Sequence, residues 1–171
     1  MIKSKVNILL YLLLAGVLYS CSISYKFTGT SIDYTRVRSI SIKDFPNMAP
    51  LVYPPMSQML TEALIDKYTR QTKLQILRDG GDLDLEGEIT GYTLTPQAVK
   101  DDAYASETRM TITVRVRFSN QTNPEDDFEQ TYSAYETFSN NLSIDEAQDV
   151  YCEMIFKEIV DQIYNETVAK W

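Results

Sequence analysis

Arg109-Met110-Thr111-Ile112-Thr113-Val114-Arg115-Val116-Arg117-Phe118 alternates without a break. Met110, Ile112, Val114, Val116 and Phe118 point one way; Thr111, Thr113, Arg115 and Arg117 point the other. A period of two, rich in β-branched residues, is the signature of a strand with one dry and one wet face. Upstream, Leu83–Leu94 reads the same way. Leu83, Leu85 and Ile89 share one side; Asp84, Glu86 and Glu88 share the other. Gly87 and Gly91 interrupt that strand and mark a bulge or close packing. If these two strands are neighbours, the acids of one can pair with the arginines of the other.

Working outward, Asn120–Asp127 with Pro124 is a turn, and Phe128–Phe138 is the last strand, with Phe128, Tyr132, Ala134 and Phe138 inward. Asp79-Gly80-Gly81-Asp82 is a turn that ends a short strand at Leu74–Leu77. Val37–Lys43 alternates through Ile40 and Ile42 and makes a first strand. Phe45–Pro55 holds four of the six prolines and is a loop; Pro54-Pro55 suits the first turn of a helix. That helix is Met56–Arg70, striped by Met56, Met59, Leu60, Ala63 and Leu64. Ser143 and Glu146 have capping-box spacing at the start of a second helix. Its stripe is Cys152, Ile155, Phe156, Ile159, Val160 and Ile163, and it is expected to run nearly to Trp171. Thr95–Glu107 is a polar, acidic connection.

Strand, helix, about four strands and helix, each with one apolar side, pack most economically as an α+β two-layer sandwich. We expect a mostly antiparallel sheet of four to five strands with two helices on one face, the other face staying wet. The 171 residues suit one domain, placed at 36–171, and 44% hydrophobic content is enough for a core.

The N-terminus is an address. Lys3 and Lys5 precede an apolar run, Val6–Leu18, broken only by Asn7. Thirteen residues suit a signal-peptide core and are short for a membrane span. Leu18-Tyr19-Ser20-Cys21 follows and looks like a bacterial lipobox, although Tyr19 is bulkier than the usual occupant. We therefore expect residues 1–20 to be a lipoprotein signal peptide and 21–35 a lipidated tether. Cys21 would carry diacylglycerol and an N-acyl chain, and no other cofactor is expected. A plain signal peptide or an uncleaved anchor, with Cys21 incidental, is the alternative; the apolar run stopping three residues before a cysteine favours lipidation. Several acyl chains hold a protein stably on a membrane, at about 0.8 kcal/mol per buried methylene. Cleavage removes two lysines and leaves 14 basic and 24 acidic residues, a formal charge of −10.

Chemistry is hard to place on this chain. It has no histidine, the commonest general base and metal ligand. Cys152 lies in an apolar helical stripe and reads as a buried small hydrophobe; with Cys21 acylated it has no disulfide partner. Asp84, Glu86 and Glu88 lie in a row along a strand about 7 Å apart, not in a cup, so no metal site is expected. The acidic balance argues against nucleic acid. The reading is that the protein is not an enzyme.

Several blocks, taken in order, resemble the LptE-like lipopolysaccharide-assembly lipoproteins of the Bacteroidetes. They are Ile42-Lys43-Asp44-Phe45-Pro46-Asn47, Ala49-Pro50-Leu51-Val52, and Ser57-Gln58 leading into Leu60-Thr61-Glu62-Ala63-Leu64. Asp82 through Tyr92, Thr95-Pro96, Thr111 through Phe118, Asp127-Phe128-Glu129-Gln130 and Val168-Ala169-Lys170-Trp171 complete them. The resemblance implies an outer-membrane lipoprotein that partners the LptD β-barrel as a plug and assembly factor in lipopolysaccharide transport to the outer leaflet. It implies a small sheet with two helices, and transfers no ligand-binding residue. Acidic residues after the cysteine send lipoproteins of this group to the cell surface. Ser22-Ile23-Ser24-Tyr25-Lys26 has none, so the expected place is the periplasmic face of the outer membrane, anchored in its inner leaflet.

A chain this acidic repels an anionic sugar lipid, so direct lipopolysaccharide contact requires a local basic patch. Arg36, Arg38 and Lys43 form one candidate, and Arg109, Arg115 and Arg117 another; ordinary solvated charge is the competing reading for both. A rival function, a lipid-binding periplasmic carrier acting without a barrel, requires a deep apolar pocket.

Overall fold

A computed structural model describes residues 32–97 and 107–169. The signal segment, Cys21, most of the tether, and Lys170-Trp171 lie outside the described residues. The elements are β1 (Ser39–Ile42), α1 (Met56–Gln71), β2 (Gln75–Leu77), β3 (Leu83–Gln97), β4 (Glu107–Asn120), β5 (Phe128–Ser139) and α2 (Ile144–Thr167). A 3-10 turn, Pro124–Asp126, joins β4 to β5.

The five strands form one sheet in the order β2-β1-β3-β4-β5. The three long strands pair antiparallel, as expected. β1 departs from that pattern, running parallel to both β2 and β3, so the sheet is mixed. For the β1–β2 pair the cause is α1: a helix that carries the chain from one strand to its neighbour on a single face returns it in the same direction.

The β3–β4 register places Leu85 opposite Phe118 and Ile89 opposite Val114, then skips so that Gly91 meets Thr113 and Tyr92 meets Ile112. Thr90 is therefore the extra residue of a bulge. It restores Tyr92 to the dry side three positions after Ile89. Gly87 has a different reason. A Cβ there would stand 2.3 Å from the Arg115 carbonyl oxygen and 2.5 Å from the Phe45 ring. Phe45 is fully buried, and Asn47 in the loop beyond it makes a parallel bridge to Ile89.

Both helices cover the dry face. α1 starts at Pro55 without a side-chain cap, and α2 starts with the full Ser143–Glu146 capping box. Cys152 Sγ lies 3.7 Å from Met110 Sδ, and Gln148 donates to the Tyr92 hydroxyl at 2.8 Å. The helices meet at Tyr68, Tyr164 and Thr167: the two tyrosine rings are edge-on at 5.4 Å, and the Tyr68 and Thr167 hydroxyls share a hydrogen bond. α2 ends at Thr167, four residues before Trp171, where the Thr167 hydroxyl turns back to the Ile163 carbonyl. Ile32 and Tyr34, in the stretch read as tether, pack against the core. No described helix is long and apolar enough to cross a membrane.

Candidate functional site on the open sheet face

The face turned away from the helices carries alternate residues of β3, β4 and β5, and the register orders them into three zones. At one end, Glu86 stands opposite Arg117 and Arg117 opposite Glu129, while Glu88 stands opposite Arg115. The ion pairs follow the register. Arg117 reaches Glu86 at 3.3 Å and Glu129 at 3.0 Å; Arg115 pairs with Glu88; and Lys43, just past β1, holds Glu86 at 2.8 Å. These groups and Asp44 line a shallow cleft of about 430 Å³ floored by Gly87. The hydrogen bond from Lys43 holds the Glu86 carboxyl below its usual range, and the same bond pushes the lysine up. Glu88 and Glu129 push Arg115 and Arg117 up in the same way.

The middle zone is built of hydroxyls. Thr93 faces Thr111, and Thr113 faces Ser133 across β4 and β5. Thr113 and Ser133 bond to each other at 3.2 Å, and Ser133 also donates to the Ile112 carbonyl. At the far end, the Arg109 guanidinium lies 4.4 Å over the Tyr135 ring, and its buried Nε has no hydrogen-bond partner. A guanidinium over an aromatic face is held by the ring's negative quadrupole.

The expected basic groupings come out rearranged. Arg109 is six residues along β4 from Arg115, roughly 20 Å at strand spacing, so the second trio is not one patch. Lys43 joins Arg115 and Arg117 instead of Arg36 and Arg38. Three cations there face Asp44, Glu86, Glu88 and Glu129, which leaves a balanced, slightly acidic surface. Arg36 donates to the Thr122 carbonyl at 3.3 Å and lines a second cleft of about 320 Å³, with Asp33, Asn120 and Asp126. Arg38 lies beside Asp82, whose carboxylate accepts the Arg38 and Ser39 backbone N–H groups and the Ser39 hydroxyl. Those bonds hold the Asp82 carboxyl below its usual value. Sequence reasoning missed Glu129 and Tyr135; the signal was available in the pairing of Phe118 with Phe128, which sets both opposite arginines of β4 or beside them.

Reactive chemistry finds no support among the described groups. Cys152 is buried, and burial pushes its thiol up to about 12, so it stays protonated. No group of three or more Cys, Asp or Glu among the described residues could hold a metal ion. What the face offers is a stiff, wet, charge-balanced surface some 14 residues long on β4.

A family model described as LptE, lipopolysaccharide-assembly, matches residues 37–167. The match spans both helices and all five strands. The chain belongs to the LptE family. No curated protein matches the sequence itself. Among solved structures, a minor lipoprotein from Acinetobacter baumannii is 13% identical with a TM-score of 0.46, covering 73% of this chain and 91% of its own. Rare lipoprotein B from Shewanella oneidensis is 11% identical with a TM-score of 0.46, over 75% and 88%. PelC from Paraburkholderia phytofirmans, a dodecamer, is 8% identical with a TM-score of 0.49, over 80% and 90%. Membership in LptE places this chain in lipopolysaccharide assembly.

Proposed function

We propose that this LptE-family chain is an outer-membrane lipoprotein, lipidated at Cys21 and held on the periplasmic face, that partners an LptD-type β-barrel. It acts there as a plug and assembly factor for lipopolysaccharide transport to the outer leaflet, and it is not a catalyst. Family membership supports the process. The observation that carries the partnership is the open sheet face, whose ion pairs are internally compensated. The lumen of a large barrel is polar and wet. A surface that already neutralises its own charges and exposes threonine and serine sits against such a wall without stranding a buried charge.

Lipopolysaccharide contact, where this chain makes it, falls to Arg36, Arg38, Lys43, Arg109, Arg115 and Arg117. A lipid phosphate would compete with Glu86, Glu88 and Glu129 for three of them and with the Tyr135 ring for Arg109. The carrier alternative requires an acyl-sized apolar cavity; the first cleft is lined by charged side chains, and the second mixes Ile32, Val37, Leu83 and Phe118 with charged and amide groups.

The test is recovery of the tagged full-length protein from membranes in mild detergent. A stoichiometric β-barrel that co-purifies is the expected result. Clean lipoprotein with no barrel, from cells that export lipopolysaccharide normally, would overturn the partnership.

A further inference from the structure

β5 ends the sheet, and no other described segment pairs with its outer side. It is 12 residues long, contains neither proline nor lysine, and pairs with β4 without a single register shift. The opposite edge, β2, is three residues long. Soluble domains blunt their edges by shortness, proline, lysine or bulges, because an open edge is a row of unpaired N–H and C=O groups. β2 follows that practice by its shortness; β5 has charge only at Glu129 and at Glu136, which lies on the helix side, and is otherwise long and free of bulges. Water satisfies such a row while it is exposed; an extended polypeptide is the one partner that matches it group for group, with strands about 4.8 Å apart.

The helix above this edge is prepared as well. Tyr151 of α2 stacks on Phe138 of β5, with ring centroids 5.4 Å apart, so this side of the helix runs along the edge strand. Met154 and Ile144, three residues after and seven before Tyr151, share its side and are 46% and 54% exposed. A strand added beyond β5 would slide beneath them and cover them.

The charge selects the occupant. α2 carries seven acids against Lys157, with Asp145, Glu146, Asp149 and Glu153 exposed in its first half. A second copy paired antiparallel through β5 would set two such helices side by side on one face, and their like charges would repel. A different chain bearing basic residues is attracted instead.

We propose that the free edge of β5, roofed by Ile144 and Met154, receives an extended, basic segment of a partner polypeptide as a sixth strand. The existence of a partner rests on the proposed partnership; the form of the contact rests on the edge.

The test is photo-crosslinking of the full-length protein in its own cells. A benzophenone amino acid is placed singly at Thr131, at Tyr135, or at Gln75 on β2 as control; all three side chains are exposed. The expected result is a heteromeric adduct from both β5 positions, at least tenfold above Gln75. Sequencing would place the two attachment points on one segment of one polypeptide, about four residues apart, as strand pairing demands. Met154→Lys, with thermal unfolding unchanged, removes the apolar cover and repels a basic segment, and should reduce the adduct several-fold. Adducts of two copies of this chain, adducts to its own N-terminal segment, attachment points scattered over the partner, or β5 yields no higher than Gln75 would each overturn the inference. The adduct's identity judges the partnership separately: a segment of a protein other than a β-barrel leaves the edge assignment standing and removes the barrel. A barrel recovered in detergent without β5 adducts does the reverse.

Discussion

Replacing Gly87 with alanine adds one methyl group where there is no room for it. The new Cβ would lie 2.3 Å from the Arg115 carbonyl oxygen and 2.5 Å from Cε1 of Phe45. The ring could tilt, but the carbonyl belongs to the β3–β4 ladder and moves only with its strand. Overpacking of this kind costs about 1–3 kcal/mol, and contact with backbone puts it at the upper end. Alanine recovers roughly 0.5–1 kcal/mol of chain entropy over glycine in a strand, leaving a net loss of about 2 kcal/mol. For a domain of this size that is a fall of roughly 4–8 °C in Tm. Gly91→Ala is the internal control. Its Cβ would meet Thr113 Cβ at 3.1 Å and Oγ1 at 3.3 Å on the wet face, a milder approach than the carbonyl and ring contacts at Gly87. That variant should unfold within about 2 °C of wild type. The measurement is thermal unfolding of both full-length variants in detergent, followed by circular dichroism. Equal midpoints for the two alanine variants would refute the assignment of Gly87 to close packing.

Four further outcomes are expected. Glu86 and Asp82 both have carboxyls held below their ordinary values, so their bonds stabilise the fold above the unfolded pKa and fade as pH falls through the folded one. Tm should therefore decline as pH drops below about 4.5, and Glu86→Gln with Asp82→Asn should flatten that decline; an unchanged slope would count against both assignments. Ser143→Ala removes the α2 capping box and should cost about 1 kcal/mol in chemical unfolding. Cys152 should resist a thiol reagent at neutral pH until denaturant is added; fast labelling of the folded protein would contradict its burial. Charge reversal at Arg115 and Arg117 together should weaken lipopolysaccharide binding to the purified protein, and unchanged binding would remove that end of the face from consideration.

Local pattern carried far in this chain. The alternation in Met110–Phe118 and the stripe from Cys152 to Ile163 assign the inward residues by themselves, because side-chain direction in a strand or helix is fixed by the backbone period. Ser143 and Glu146 announced a helix start through hydrogen bonds that span three residues. Even the cross-strand charge pairs follow from β3 and β4 being neighbours, because register converts sequence position into opposition.

Long-range geometry was not available in that way. The place of β1 between β2 and β3 depends on which side of it α1 returns the chain, a choice between packings that leaves the pattern of β1 unchanged. Whether a charge-rich face is basic depends on which strands bring their charges together. Lys43 moved from one expected patch to another because β1 lies beside β3, and Glu129 neutralises Arg117 because β5 lies beside β4. The sequence by itself determined which side of the long strands and of both helices is dry, since burial is a property of side chains read at a local period. Only the tertiary structure decided how the wet residues meet one another and which edge stays open, since both arise from pairings between residues that the chain holds far apart.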